Sequence, residues 1–351
     1  MHIRLLTAFL MAGFLLTGAD GPRTPEGRPD FSGTYDIATL TPLVRPAHYG
    51  ERLSLTDAEA KAIAKAAADR MAKSNVASDP NRKAPPAGGD GSEGAAGNVG
   101  GYNTLWIDPG AGAFKLDGQW RVSIITDPKN GRMPEMVPAA AKRAGERLRM
   151  NRPNQGDAWW IKAGITPGPY DDPELRPLGE RCLLGFGSSA GPPALPVLYN
   201  NLKQIVQTKD HIMILNEMVH DTRIIRMNSK HEPPDVRRWL GDSIGRWEGD
   251  TLIVDTTNFT DKPALASATK ELHVVERFTR LDAKTLLYKF TVEDPSVWTK
   301  PWSGEYVWPV TENRIYEYAC HEGNYSFGNI LRGARLLEAE ALAAKPAAPT
   351  K

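Results

Sequence analysis

The sequence predicts a mainly β protein, an antiparallel meander that closes into a barrel, with a few N-terminal helices and long irregular loops. Two observations carry this. Gly 32 and Pro 28 in 351 residues supply many turns. From residue 203 onward, short alternating apolar runs follow one another as adjacent hairpins, and closing such a meander removes its exposed edges.

In chain order, residues 31–37 are a first short strand. Thr56-Asp57-Ala58-Glu59 is a capping box that opens a helix to about Lys73, with Ala60, Ile63, Ala64, Ala67 and Met71 on one face. Residues 76–101 are rich in Gly, Ala, Pro and Ser and predict a loop. Trp120 to Ile125 is a strand that runs into the turn Asp127-Pro128-Lys129-Asn130-Gly131. Pro138 sits at the first position of a second helix, to about Met150, whose Lys142, Arg143, Arg147 and Arg149 form a solvated basic face. Residues 151–200 are irregular and proline-rich.

Strands are then expected over 203–208, 211–220 and 222–227. A polar excursion follows over 231–240. Three hairpins come next, over 246–259, 272–293 and 305–320. The organisation expected is a signal segment over 1–19; a leader, strand, helix and loop over 20–101; an α+β segment over 102–200; a barrel over 201–335; and a flexible tail over 336–351. By analogy of strand pattern, the barrel is calycin-like.

Composition narrows the compartment and the partners. Lys+Arg 43 balances Asp+Glu 42, which argues against nucleic acid or an anionic surface as partner. Arg4, the apolar run Leu5 to Leu16 and Thr17-Gly18-Ala19 read as an export signal cut before Asp20. No later run is long and apolar enough to span a membrane, so the mature chain is expected in the periplasm or secreted. There Cys182 and Cys320 are most simply a disulfide; the rival is a nucleophilic Cys320 activated by His321.

Several segments carry a resemblance. Val219-His220-Asp221, Arg246-Trp247-Glu248-Gly249-Asp250-Thr251-Leu252, Thr256-Thr257-Asn258-Phe259, His273-Val274-Val275-Glu276-Arg277-Phe278 and Cys320-His321-Glu322-Gly323-Asn324-Tyr325 resemble a large family of exported bacterial proteins. Phe31-Ser32-Gly33 and Ser123-Ile124-Ile125-Thr126-Asp127-Pro128 are similar to that family's N-terminal segments. The resemblance covers most of the mature chain. It implies export and names no reaction.

Candidate chemistry concentrates in residues 217–325. Strand parity puts His273 with Arg277, and Glu317 with His321, on shared faces. An interior lined by Glu217, His273, Arg277, Glu317 and His321, with Tyr316 or Tyr318 nearby, would supply acid, base and anion stabiliser. His220, Asp221, Trp247, Trp298 and Trp302 are candidate substrate-binding residues. The bland alternatives are strand-end histidines satisfied by backbone, cross-strand ion pairs and core tryptophans. No cofactor is expected; zinc on His and Glu is the alternative, without any metal-ligand spacing to support it. Gly187-Ser188-Ser189-Ala190-Gly191 only approximates a nucleophile elbow. The resulting expectation is a cofactor-independent lyase, dehydratase or isomerase acting on a small hydroxylated aromatic or sugar-derived compound. A non-catalytic small-molecule binding protein and a structural envelope module are the alternatives.

Overall fold

The computed structural model describes residues 21–77, 80–81, 83, 106–152 and 156–343. The signal segment and most of the 76–101 loop lie outside the described residues, as does the tail beyond 343.

The strands are β1 Gly33–Asp36, β2 Ser54–Leu55, β3 Lys115–Leu116, β4 Gln119–Arg121, β5 Ile125–Asp127, β6 Leu202–Gln207, β7 His211–Asn216, β8 Thr222–Met227, β9 Asp242–Glu248, β10 Thr251–Thr257, β11 His273–Asp282, β12 Thr285–Glu293 and β13 Trp302–Pro309. The helices are α1 Asp57–Ser74, α2 Pro138–Met150, α3 Trp159–Lys162, α4 Cys320–Gly323 and α5 Tyr325–Ala343. The capping box forms as expected: the Glu59 N–H donates to Thr56 Oγ1, and the Thr56 N–H donates to the Glu59 carboxylate. The α1 face is shallower than expected, with Ala60 buried and Ile63 partly covered.

Ten strands build one curled sheet in the order β1-β6-β7-β8-β9-β10-β11-β12-β13-β5, and β2, β4 and β3 form a second, small one. The large sheet is a half-barrel rather than the closed barrel expected. β1 meets the end of β13 through a single bridge, Tyr35 to Val310, and the ladder goes no further. Its pairs are antiparallel except β8 with β9. The 120–125 strand is split: β4 serves the small sheet and β5 caps the edge of the large one.

That edge strand explains the second correction. Residues 314–320 do not form a hairpin arm with β13, because the free edge of β13 is taken by β5, with Gly304 opposite Ile125. Gly304 makes the approach possible, since a Cβ there would lie 2.6 Å from Phe290 Cζ and 2.9 Å from the Ile124 carbonyl. The chain after Pro309 instead runs irregularly to α4, where Cys320 is bonded to Cys182. The expected disulfide therefore forms, and Cys320 is not a free nucleophile. Among the described residues no helix is long and apolar enough to cross a membrane.

The concave side is packed solid. Phe278, Tyr288, Phe290, Trp302, Tyr306 and Trp308 interlock there, all but excluded from solvent. Trp298 and Trp302 are thus core residues, and Trp247 packs on Phe31 beneath the leader with ring centroids 5.4 Å apart.

The Cys182–Cys320 bond closes a 138-residue separation. Its removal by Cys182→Ser with Cys320→Ser is expected to cost about 4–5 kcal/mol on the chain-entropy estimate, read as a lowered denaturant midpoint against the oxidised parent.

Candidate functional site

The expected interior site is not assembled. On β11 the apolar phase runs through Val274 and Phe278, which turns Glu276 inward and His273 and Arg277 outward. Glu317 and His321 share no strand. Both are exposed, and Glu317 and Tyr318 line a pocket beside the disulfide. Glu217 is buried, with Oε2 accepting from the Leu202 N–H at 3.2 Å. His220, His273 and His321 lie on separate parts of the fold. Among the described residues no group of three or more His, Cys, Asp or Glu is placed to hold a metal ion.

What the concave side does hold is a buried ionic network. Arg223 on β8 pairs through both terminal nitrogens with the Glu276 carboxylate, at 2.5 and 2.9 Å. The Tyr288 hydroxyl donates to Glu276 Oε1 at 2.7 Å and accepts the Ala194 N–H at 2.9 Å. Tyr306 donates to the Ala194 carbonyl, and fully buried Lys203 donates to the Ser189 carbonyl at 2.6 Å. The irregular segment 184–195 is thereby pinned onto the sheet as a plug. Burial would lower the Arg223 guanidinium, but Glu276 more than offsets this and holds it raised. Burial also lowers the Lys203 ammonium to about 7, against the pull of Glu217 and Asp221.

The β7–β8 connection sits at the rim of this network. Asn216 closes it, donating N–H and Nδ2–H to the Asp221 carbonyl at 2.8 and 2.9 Å. Inside it, Val219 (φ 58°) and His220 (φ 43°) are consecutive left-handed residues. For a β-branched valine this is a costly conformation, of order 1–3 kcal/mol, sustained only by its surroundings. The surroundings here are Met218, wholly buried, whose sulfur accepts the Phe186 N–H of the plug at 3.1 Å.

The strained turn delivers Asp221, whose Oδ2 accepts the Gly185 N–H at 3.1 Å. Gly185 permits that approach, because a Cβ there would crowd Ser189 and lie 3.0 Å from the Met218 sulfur. Burial pushes the Asp221 carboxyl up to about 6, despite the Gly185 N–H, Lys203 and His220, which all favour its ionised form.

Asp221 opens into a cleft of about 480 Å³. The cleft exists because β8 and β9 pair only over Ile225–Met227 and Ser243–Gly245. Ahead of those residues the two strands splay, leaving Thr222, Arg223 and Ile224 facing Leu240, Gly241 and Asp242. Arg226, Glu232, Arg238 and Trp239 also line it, as do His211, Ser243, Leu183 and the plug residue Leu184. The 228–241 excursion that carries Arg238 and Trp239 is tied down on the outer face. Asp242 accepts from Arg226 Nη2 through both oxygens, from the Glu232 N–H and from the His231 ring. The other His231 nitrogen and His273 Nε2 both meet Asp255 Oδ1 at 3.1 Å. The hydrogen bond to Asp255 raises His273. His273 is therefore a tie in this outer strut and lines none of the cleft.

No family model and no curated protein matches this chain.

Two outcomes test the geometry. Glu276→Ala strands the buried Arg223 charge and is expected to cost about 3–5 kcal/mol in denaturant unfolding. Asp221 holds its proton more tightly folded than unfolded, at about 6 against 3.8. The stability this contributes is complete below the unfolded value and lost as pH rises through the folded one. Asp221→Asn is therefore expected to melt above the parent at pH 8 and to lose that advantage toward pH 4.

Proposed function

We propose that the protein is a cofactor-independent acid–base enzyme of lyase, dehydratase or isomerase type. In this reading a small hydroxylated aromatic or sugar-derived compound reacts in the β8–β9 cleft. The observation that carries it is Asp221: a carboxyl pushed up to about 6, presented to a cleft by a strained turn. A base with that value is ionised at neutral pH yet still holds a proton well enough to pass it on. Backbone strain that the surrounding fold must sustain is concentrated where it positions a reacting group.

Asp221 takes the proton from the substrate. Arg223, fixed by Glu276, faces the oxygen on which negative charge develops. His220 precedes Asp221 in the chain and presents an exposed imidazole to solvent. Lys203, behind the turn, touches no part of the cleft and acts through the charge it places near Asp221. Export to an oxidising compartment, supported by the disulfide, belongs to the same proposal, as does kinship with the exported bacterial family. The calycin-like comparison stays an analogy of strand pattern, since the packed concave side leaves the ligand a cleft rather than a barrel lumen.

One observation favours a non-catalytic binding protein instead. A pocket of about 510 Å³ lies between the plug and the N-terminal segment, lined mostly by apolar groups including Leu40, Leu43, Met133 and Leu195, with no histidine.

Turnover of a small-molecule panel by purified protein separates the two readings. For any compound turned over, kcat/KM is expected to rise with pH through an apparent pKa near 6, the value to which Asp221 is pushed. Asp221→Asn is expected to lower kcat by about 10²-fold or more, as for loss of a general base. Turnover that survives Asp221→Asn would assign the chemistry elsewhere.

A further inference from the structure

Arg223 is 3% exposed, and its Nε–H is buried without a hydrogen-bond partner. Each terminal nitrogen gives one of its two N–H groups to Glu276, and Nε is the one guanidinium nitrogen with no partner at all. Arg121 and Arg280 also carry an unpaired buried Nε–H, but away from the cleft; the one on Arg223 belongs to a cleft-lining residue, where a ligand atom can complete the structure. Arg223 lines the cleft.

A second free donor faces the same space. Arg238 is exposed, lines the cleft, and its guanidinium makes no hydrogen bond or ion pair with any described residue. Its backbone is held all the same: its N–H donates to the Asn258 carbonyl at 3.0 Å and its carbonyl accepts the Thr260 N–H at 3.1 Å. The guanidinium is thus anchored at its root and unspent at its tip.

The carboxylates of the cleft do not answer it. Asp242 is saturated by Arg226, His231 and the Glu232 N–H, and Glu232 lies 3.4 Å from Arg226. Asp221 is the remaining acid, and burial disfavours its charge. Beside Arg238, Trp239 is 37% exposed and forms the one aromatic wall.

From this set of groups we infer that the cleft binds a carboxylate carried on a flat apolar ring. One carboxylate oxygen takes the orphan Arg223 Nε–H, the other takes the Arg238 fork, and the ring lies against Trp239. This rests on the cleft being the functional site, and it names the substrate class: an aromatic or similarly planar carboxylic acid. Asp221 lines the same cleft, where it can take the proton of a hydroxyl carried on the bound ring.

The probe is benzoate, titrated calorimetrically into the full chain beside benzamide, its neutral isostere. Benzoate is expected to saturate one site, with benzamide about tenfold weaker or more. Arg238→Gln, a surface change confirmed folded by an unaltered melting temperature, is expected to weaken benzoate by about tenfold and to leave benzamide unchanged. Trp239→Leu is expected to weaken both probes together. Benzamide binding as tightly as benzoate, Arg238→Gln leaving benzoate unaffected, or no saturable benzoate binding each overturns the inference. Benzoate binding is read on the parent chain and turnover on the parent beside Asp221→Asn. Binding without any Asp221-dependent turnover therefore defeats the acid–base reading alone, and Asp221-dependent turnover of a neutral compound without benzoate binding defeats this one alone.

Discussion

The Arg223–Glu276 pair is the constraint on which the rest depends. Two full charges lie almost wholly out of water, and such a pair repays its desolvation only with good geometry and further hydrogen bonds. Here the geometry is bidentate, and Tyr288 supplies the further bond. The consequences spread in two directions. Tyr288 reaches the Ala194 N–H and so fixes the plug on the sheet. Arg223 is held at the point where β8 leaves β9, which turns a local failure of strand pairing into a cleft with a charged floor.

The plug in turn sustains the strained turn. Phe186 donates to Met218, Gly185 donates to Asp221, and Lys203 reaches Ser189 across the same stretch. A left-handed Val219 would relax if Met218 were free to move. The segment 184–195, with no regular structure, therefore decides the conformation of the one carboxyl whose charge burial disfavours most clearly. Its backbone polar groups are satisfied by side chains of the sheet rather than by a ladder, which is how an irregular segment can be buried at all.

Much of the fold was legible in the sequence. The α1 capping box, Pro138 at the start of α2 and the β9–β10 and β11–β12 hairpins rest on local chemistry, and local chemistry is what a sequence displays. The disulfide followed from an even pair of cysteines and the expected export. The site was less legible, for a reason visible in β11. His273 and Arg277 mark one face and Val274, Glu276 and Phe278 the other. Phasing by the ionisable residues puts His273 inside; phasing by the apolar ones puts Glu276 inside. Burial of apolar area sets strand register, and a single charge can be accommodated within it if a partner such as Arg223 lies opposite. The neighbours Val274 and Phe278 were the better guide. The missing 314–320 strand has a different cause, since nothing in that stretch reveals that β5, nearly two hundred residues earlier, has already taken the edge.

The parallel pairing of β8 with β9 could not be read locally either, and it is what shapes the cleft. An antiparallel neighbour would have followed β8 through a short turn and paired along its whole length, leaving no splay. A parallel neighbour needs a return passage, here 228–241, and that passage must be held against the sheet. The His231–Asp255–His273 strut and the Asp242 junction do this on the outer face. They hold Arg238 and Trp239 over the opening while Arg223 and Asp221 close it from within. Of the histidines singled out in the sequence, His273 is thus a tie that, together with His231, helps fix the wall opposite Asp221.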